Sequence, residues 1–249
     1  MDLRICNLKK VYGDKVALDL PSLDIHSGEL VGLVGNNGAG KTTLLRLILD
    51  LIRADEGYVL SGGTDVTGAN ASGKVDFSAS DNVAWKRYTG SFIDGHFLID
   101  FYTPEEYFTF VGKLYGLTPE TTRERLKPFE LLMHDEILGT KKYLRDFSEG
   151  NRQKIGIIGA MMIRPQVLLL DEPFNYLDPS SQIVVARLIA EMNRELGTTV
   201  LISSHNLSFV SDISTRILLL EKGRLIKDLP NHEGSAIAEL NDYFDKLTS

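Results

Sequence analysis

Apolar residues gather in short unbroken runs separated by longer stretches of helical period. Residues 30–34, 167–170 and 199–202 are continuous Val/Leu/Ile-rich runs followed by polar or glycine-rich turn chemistry. Runs of that length without polar alternation predict strands buried on both faces, and the amphipathic stretches between them predict crossover helices of a mainly parallel sheet. After the first run, Leu44, Leu45, Ile48, Leu51 and Ile52 keep a helical period, giving strand, glycine loop, helix. Residues 61–82 are poor in large apolar side chains and rich in Gly, Ser, Asn and Asp, which predicts a surface loop or short irregular hairpin. Thr103, Pro104 and Glu106 form a capping box with proline at N1, and Tyr107, Phe108, Val111, Leu114 and Tyr115 follow on one predicted face, ended by Gly116. Thr118, Pro119 and Glu120 start a second helix, through Leu126, Phe129, Leu131 and Leu132. Residues 95 to about 150 therefore read as a helical insert between two α/β blocks.

The 249 residues, 43% hydrophobic and 24% charged, are enough for a self-sufficient core and exclude disordered and collagen-like classes. With 27 basic and 34 acidic residues the net charge is −7, and no basic stripe is present, which argues against nucleic acid as a partner. Cys6 is the single cysteine, so neither an internal disulfide nor a multi-cysteine metal site can form, and it is expected to be a small buried hydrophobe. The N-terminus lacks a signal-peptide core, and Arg46 and Asp50 break the most apolar helical run, so no membrane span is expected. No internal repeat or low-complexity tail is present.

Gly35-Asn36-Asn37-Gly38-Ala39-Gly40-Lys41-Thr42 fits G-x-x-x-x-G-K-[ST] between a predicted strand and a helix N-terminus. Its glycines let backbone N–H groups converge on phosphate oxygens, and the helix dipole adds favourable potential. Lys41 supplies a point charge for the β- and γ-phosphates, and the Thr42 hydroxyl is placed to ligate Mg²⁺; Thr43 belongs to the same phosphate-binding set. Asp171 and Glu172 close a hydrophobic strand at the end where parallel sheets bind ligands. Asp171 is assigned to the metal and Glu172 to the attacking water. His205 follows the third apolar run and the small pair Ser203-Ser204, at the same sheet edge, where it can donate to a γ-phosphate. His26, His96, His134 and His232 are expected to be structural.

Taken in order, these motifs resemble the nucleotide-binding subunit of an ABC transporter along essentially the whole chain. The resemblance implies a P-loop NTPase with a mixed, mainly parallel core sheet, an N-terminal antiparallel β subdomain and a helical insert. Residues 1–94 and 151–230 would form the ATP-binding core, 95–150 the helical subdomain and 231–249 a C-terminal helical tail of one domain. Tyr12 matches the aromatic that stacks on adenine. Phe147-Ser148-Glu149-Gly150-Asn151 matches the Leu-Ser-Gly-Gly-Gln signature only at Ser148 and Gly150, which would reach the γ-phosphate across a dimer interface, while Glu149 adds negative charge there. Residues 173–178 resemble the D-loop, which would pass information between sites through Asp178, and Phe174 stands where a small residue is commoner. No glutamine occurs between Thr42 and Gln153, so Asp94 takes the place of the Q-loop residue and could hold a Mg²⁺-bound water.

The family likeness further implies ATP and Mg²⁺, a homodimer or a heterodimer with a related ATPase, and an integral membrane permease as partner. It places the protein in the cytoplasm, on the inner face of the membrane. Residues 104–117 resemble exporters whose membrane subunits are separate chains. Two alternatives stay open: a soluble ABC-type ATPase in assembly, for example of iron–sulfur clusters, or the weakly hydrolysing half of a heterodimer.

Overall fold

The computed structural model describes residues 1–66, 83–134, 136–232 and 234–248. Two sheets and the helices enclose two hydrophobic clusters. The first is antiparallel, in the order β2-β1-β4-β5, built from β1 (Leu3–Tyr12), β2 (Lys15–Ile25), β4 (Glu56–Ser61) and β5 (Thr64–Asp65). The second has the order β10-β9-β3-β8-β7-β6, from β3 (Leu30–Val34), β6 (Thr89–Phe92), β7 (Val167–Asp171), β8 (Thr199–Ser204), β9 (Arg216–Glu221) and β10 (Arg224–Pro230). Every pairing from β9 to β6 is parallel, and only the edge strand β10 runs antiparallel. The three apolar runs form the three central strands, as their composition predicts.

Successive residues of these strands face opposite ways and so divide the interior in two. Leu30, Val34, Leu168, Leu170, Val200 and Ile202 point to a core shared with the helices, whereas Val31, Leu33, Leu169 and Leu201 point to the antiparallel sheet and to α1 (Lys41–Ile48). Between β6 and β7 the regular elements are α2 (Pro104–Leu114), α3 (Pro119–Leu126), α4 (Glu130–Met133) and α5 (Glu149–Met162), with short 3₁₀ turns. Helices α6 (Pro179–Leu196) and α7 (Leu207–Ile213) cover the sheet, and α8 (Ala236–Thr248) ends the chain.

Thr103 and Glu106 make the reciprocal capping box that starts α2, and Thr118 caps α3. Helix α1 stops at Ile48, short of the predicted Ile52. Leu51 N–H donates to Arg46 O at 2.9 Å and Asp50 N–H to Leu47 O at 3.1 Å, a Schellman closure with Asp50 in the left-handed conformation usually given to glycine. Leu114 and Leu131 are exposed rather than buried. Cys6 is half-buried: β1 alternates, Leu3 and Ile5 take the inward positions, and Cys6 lies on the other face opposite Tyr58. Of residues 61–82, the turn after β4 and the short β5 are seen; 67–82 lie outside the described residues.

Asn231 ties the end of α7 to the start of α8. Its buried amide donates to Ser211 O and Ser214 O, both at 2.7 Å, and its oxygen accepts from Ala236 N–H at 3.1 Å. Asn231→Ala strands two buried carbonyls and one amide, and we expect it to cost about 3 kcal/mol of unfolding free energy by urea titration. A loss below about 0.5 kcal/mol contradicts this role.

Candidate functional site

Four parallel strands, β3, β6, β7 and β8, end at one edge of the central sheet, and the residues that follow them converge there. The turn after β3 begins at Gly35, with φ of 151°; a Cβ on it would lie 2.3 Å from the Leu220 carbonyl oxygen, so no other residue fits. At the other end of the loop Gly40 precedes α1 in a left-handed conformation. No side chain caps α1 and no acid occupies its first turn, so its leading N–H groups point out of the loop as donors for an anion.

The Lys41 ammonium is almost completely buried, at 6% exposure. It donates to Gly35 O at 2.6 Å and Asn36 O at 3.5 Å, and lies 3.4 Å from Glu172 Oε1. Tyr12, half-exposed at the end of β1 with Lys10 Nζ 5.3 Å from its ring centre, joins residues 37–43 and Glu172 around an open cleft of about 320 Å³. This cleft gathers the predicted set Tyr12, Asn37, Gly38, Ala39, Gly40, Lys41, Thr42 and Thr43, with Gly35 and Asn36 at its back through their bonds to Lys41.

Asp171 is buried at the end of β7 beside Ser203, its register partner on β8. Burial raises its carboxyl above the ordinary range; hydrogen bonds from the Ser203 and Thr42 hydroxyls pull it back, and the neighbouring Glu172 raises it again. A buried carboxylate and a hydroxyl side by side, next to an anion-seeking loop, fit Mg²⁺ held by few protein ligands together with a phosphate. The described residues contain no cluster of three or more His, Cys, Asp or Glu that would hold a metal by protein alone.

Glu172 has φ of 47°. Its amide donates to Ser203 Oγ at 2.9 Å, while Oε2 lies 2.8 Å from His205 Nδ1 and accepts from His205 N–H at 3.2 Å. A His205 that donates from Nδ1 to Glu172 can also donate to a phosphate from Nε2 only as the imidazolium. Lys41 and His205 thus meet on the Glu172 carboxylate, and Asp171 is the residue before it.

Ser148 and Gly150 do not line this cleft. Ser148 caps α5, its Oγ accepting from Asn151 N–H at 3.3 Å, and a Cβ on Gly150 would lie 2.6 Å from the Tyr176 carbonyl oxygen. Asp178 caps α6: hydrogen bonds from the Ser180 and Ser181 hydroxyls hold its carboxyl far below the usual range. Phe174 is buried and stacks on Phe209 with centroids 5.3 Å apart, which explains a large side chain in this turn. Asp94 lines a second cleft of about 390 Å³ with Glu149, Arg152, Asp171 and Glu172. Its carboxylate caps the next turn through His96 N–H at 2.7 Å, lies 3.0 Å from His96 Nδ1 and pairs with Arg46 at 3.6 Å. Pattern reading missed Ser203 and Arg46. Ser203 was visible only as a small residue before His205, and Arg46 only as an interruption in an apolar helix.

A strand, a phosphate-cradling loop and a helix, with two adjacent carboxylates at the end of β7, define a P-loop nucleotide-binding domain; the antiparallel sheet and helical insert give it the form of an ATP-binding cassette. A family model described as ABC transporter matches residues 18–175. The methionine import ATP-binding protein MetN of Rhizobium johnstonii is 33% identical over 230 residues, 91% of this chain, and the chain spans 60% of that relative's length. The ABC transporter ATP-binding protein MJ1023 of Methanocaldococcus jannaschii is 30% identical over 90% of this chain and 76% of its own. The bacitracin transport protein BcrA of Bacillus licheniformis is 29% identical over 92% of this chain and 69% of its own. Among solved structures, the dimeric bacterial cassette MJ0796 superposes with a TM-score of 0.78, at 24% identity, over 92% of this chain and 99% of its own. The chain belongs to the ABC transporter family. No helix among the described residues is long and apolar enough to cross a membrane.

Because Asp171 has a raised folded-state pKa, the folded protein holds its proton more tightly than the unfolded chain. Its contribution to stability is therefore present at low pH and lost as pH rises from the ordinary carboxylate range through the raised value. Asp171→Asn should melt higher than the parent at pH 7.5 without nucleotide or Mg²⁺, with the gap closing toward pH 4. A variant that melts lower at pH 7.5 contradicts this account of the site.

Proposed function

We propose that this chain binds ATP with Mg²⁺ at the 35–43 loop and hydrolyses it within a pair of such domains, driving a separate membrane permease. The observation that carries the reading is the convergence of Lys41, Glu172 and His205 within hydrogen-bonding and ion-pair distance at the mouth of the phosphate loop. The loop amides and Lys41 bind the β- and γ-phosphates. Thr42 and Asp171 hold Mg²⁺, which offsets phosphate charge when bound. Glu172 accepts the proton of the attacking water, and His205, as the imidazolium, donates to the γ-phosphate and helps spread the charge that develops there.

Pairing follows from the position of the α5 N-terminus, whose Ser148 and Gly150 stand apart from the cleft of their own chain. In the proposed dimer they meet the γ-phosphate bound by the partner, so each triphosphate bridges two domains until hydrolysis weakens the bridge. We assign the partner to a second copy or a related ATPase. Phe97, Phe101, Phe110 and Leu114, on α2 and in the segment before it, are exposed, and this is where we seat the permease, so that the protein sits peripherally on the membrane. We propose outward transport, supported by the likeness of residues 104–117 to exporter-type subunits; MetN, named for import, is the competing precedent.

Glu172→Gln should lower ATP turnover by about 100-fold or more while leaving ATP binding intact. With ATP it should elute as a stable dimer in size-exclusion chromatography. Turnover equal to the parent's overturns the assignment of the base. Purification of the tagged chain from its own membranes should bring down an integral membrane protein, and recovery of none contradicts the transport reading.

A further inference from the structure

Three consecutive residues of α5 leave the helix about 100° apart and hold three different parts of the site. Arg152 donates to Gly95 O at 2.8 Å and Leu144 O at 2.9 Å, Lys154 pairs with Asp178 at 3.7 Å, and Gln153, between them, donates from Nε2 to the main-chain carbonyl of Glu172 at 3.1 Å. Gln153 is buried, at 7% exposure, and its donor is directed at the residue read here as the base.

Glu172 needs such a hold. Its φ of 47° is a conformation that residues with side chains keep only where surrounding groups enforce it. Main-chain bonds grip it on both sides. Its amide donates to Ser203 Oγ and to Ser203 O at 2.9 and 3.2 Å, and its carbonyl accepts from Asn175 N–H at 3.1 Å as well as from Gln153. The Ser203 and Asn175 bonds come from the sheet and from the turn itself. Gln153 alone among these partners belongs to the helix that begins with Ser148 and Gly150.

We propose that Gln153 is a positioning residue for ATP hydrolysis: its amide holds the strained main chain of Glu172 so that the carboxylate stays between Lys41 and His205. Because Gln153 is fixed to α5 little more than one turn from Ser148, the seating of the α5 N-terminus on an opposing nucleotide is transmitted through this bond to the main chain of the base itself. The inference rests on the reading of Glu172 as the base, and the test separates the two.

Gln153→Met keeps the side-chain volume and removes the donor. In the full-length protein we expect ATP turnover to fall about 10-fold, with KM for ATP within twofold of the parent. We also expect an ATP-bound dimer to accumulate in size-exclusion chromatography, because slower hydrolysis prolongs closure. Gln153→Glu, which presents an acceptor to the same carbonyl, carries the same expectation and replaces the first variant if that one fails to fold. A loss that appears in KM, a fall in turnover without dimer accumulation, or unchanged turnover overturns the proposal. Glu172→Gln is measured alongside. If it turns over like the parent, the base assignment falls and this inference with it; if it traps the dimer while Gln153→Met behaves as the parent, only the Gln153 inference falls.

Discussion

A buried ammonium dictates the shape of this site. Lys41 has lost its water shell, and an uncompensated charge in that position costs several kcal/mol. Compensation comes from two carbonyls of its own loop and from the carboxylate of Glu172 across the cleft. These contacts bind the loop after β3 to the strand end of β7, and they pair the ammonium proposed to attract phosphate with the carboxylate proposed to accept a proton from water. A triphosphate competes for the same ammonium. Its binding therefore changes the surroundings of Glu172 directly, with no relay between them.

The rest of the architecture serves that junction. Parallel register sets Asp171 beside Ser203, and Ser203 in turn holds both the Asp171 carboxylate and the Glu172 amide. Glu172 is locally unfavourable in its left-handed conformation and is held by bonds from the sheet, the following turn and α5. Asp171 is likewise unfavourable as a buried carboxylate until a cation neutralises it. At this strand end a left-handed Glu172 and a desolvated Asp171 lie side by side, while the central strands β3, β7 and β8 below are buried along their length.

The central strands and the glycine loop were legible in the amino-acid sequence because each is a local signal, an unbroken apolar run or a fixed spacing of Gly, Lys and Thr. The capping box at Thr103 was legible for the same reason. Helix α1 read too long, since its stop uses Asp50 where a glycine would have announced it. Cys6 read as buried, since its exposure depends on the phase of an alternating strand. Within the site, Lys41, Thr42, Asp171, Glu172 and His205 could be named from motif and position. Ser203 and Gln153 could not be given roles: one acts through the register of β7 on β8, the other through a helix that approaches the turn from a different part of the chain. Such roles belong to tertiary packing and leave no local pattern.

Hydrogen–deuterium exchange on the full-length protein tests the central claim most directly, comparing the protein alone with the protein plus Mg²⁺ and a non-hydrolysable ATP analogue. The account predicts slowed exchange of the backbone amides at 36–43 at every protein concentration, and slowed exchange at 148–151 that deepens as protein concentration rises, because that contact comes from a partner domain. Unchanged exchange at 36–43 with saturating analogue would contradict the account at its base.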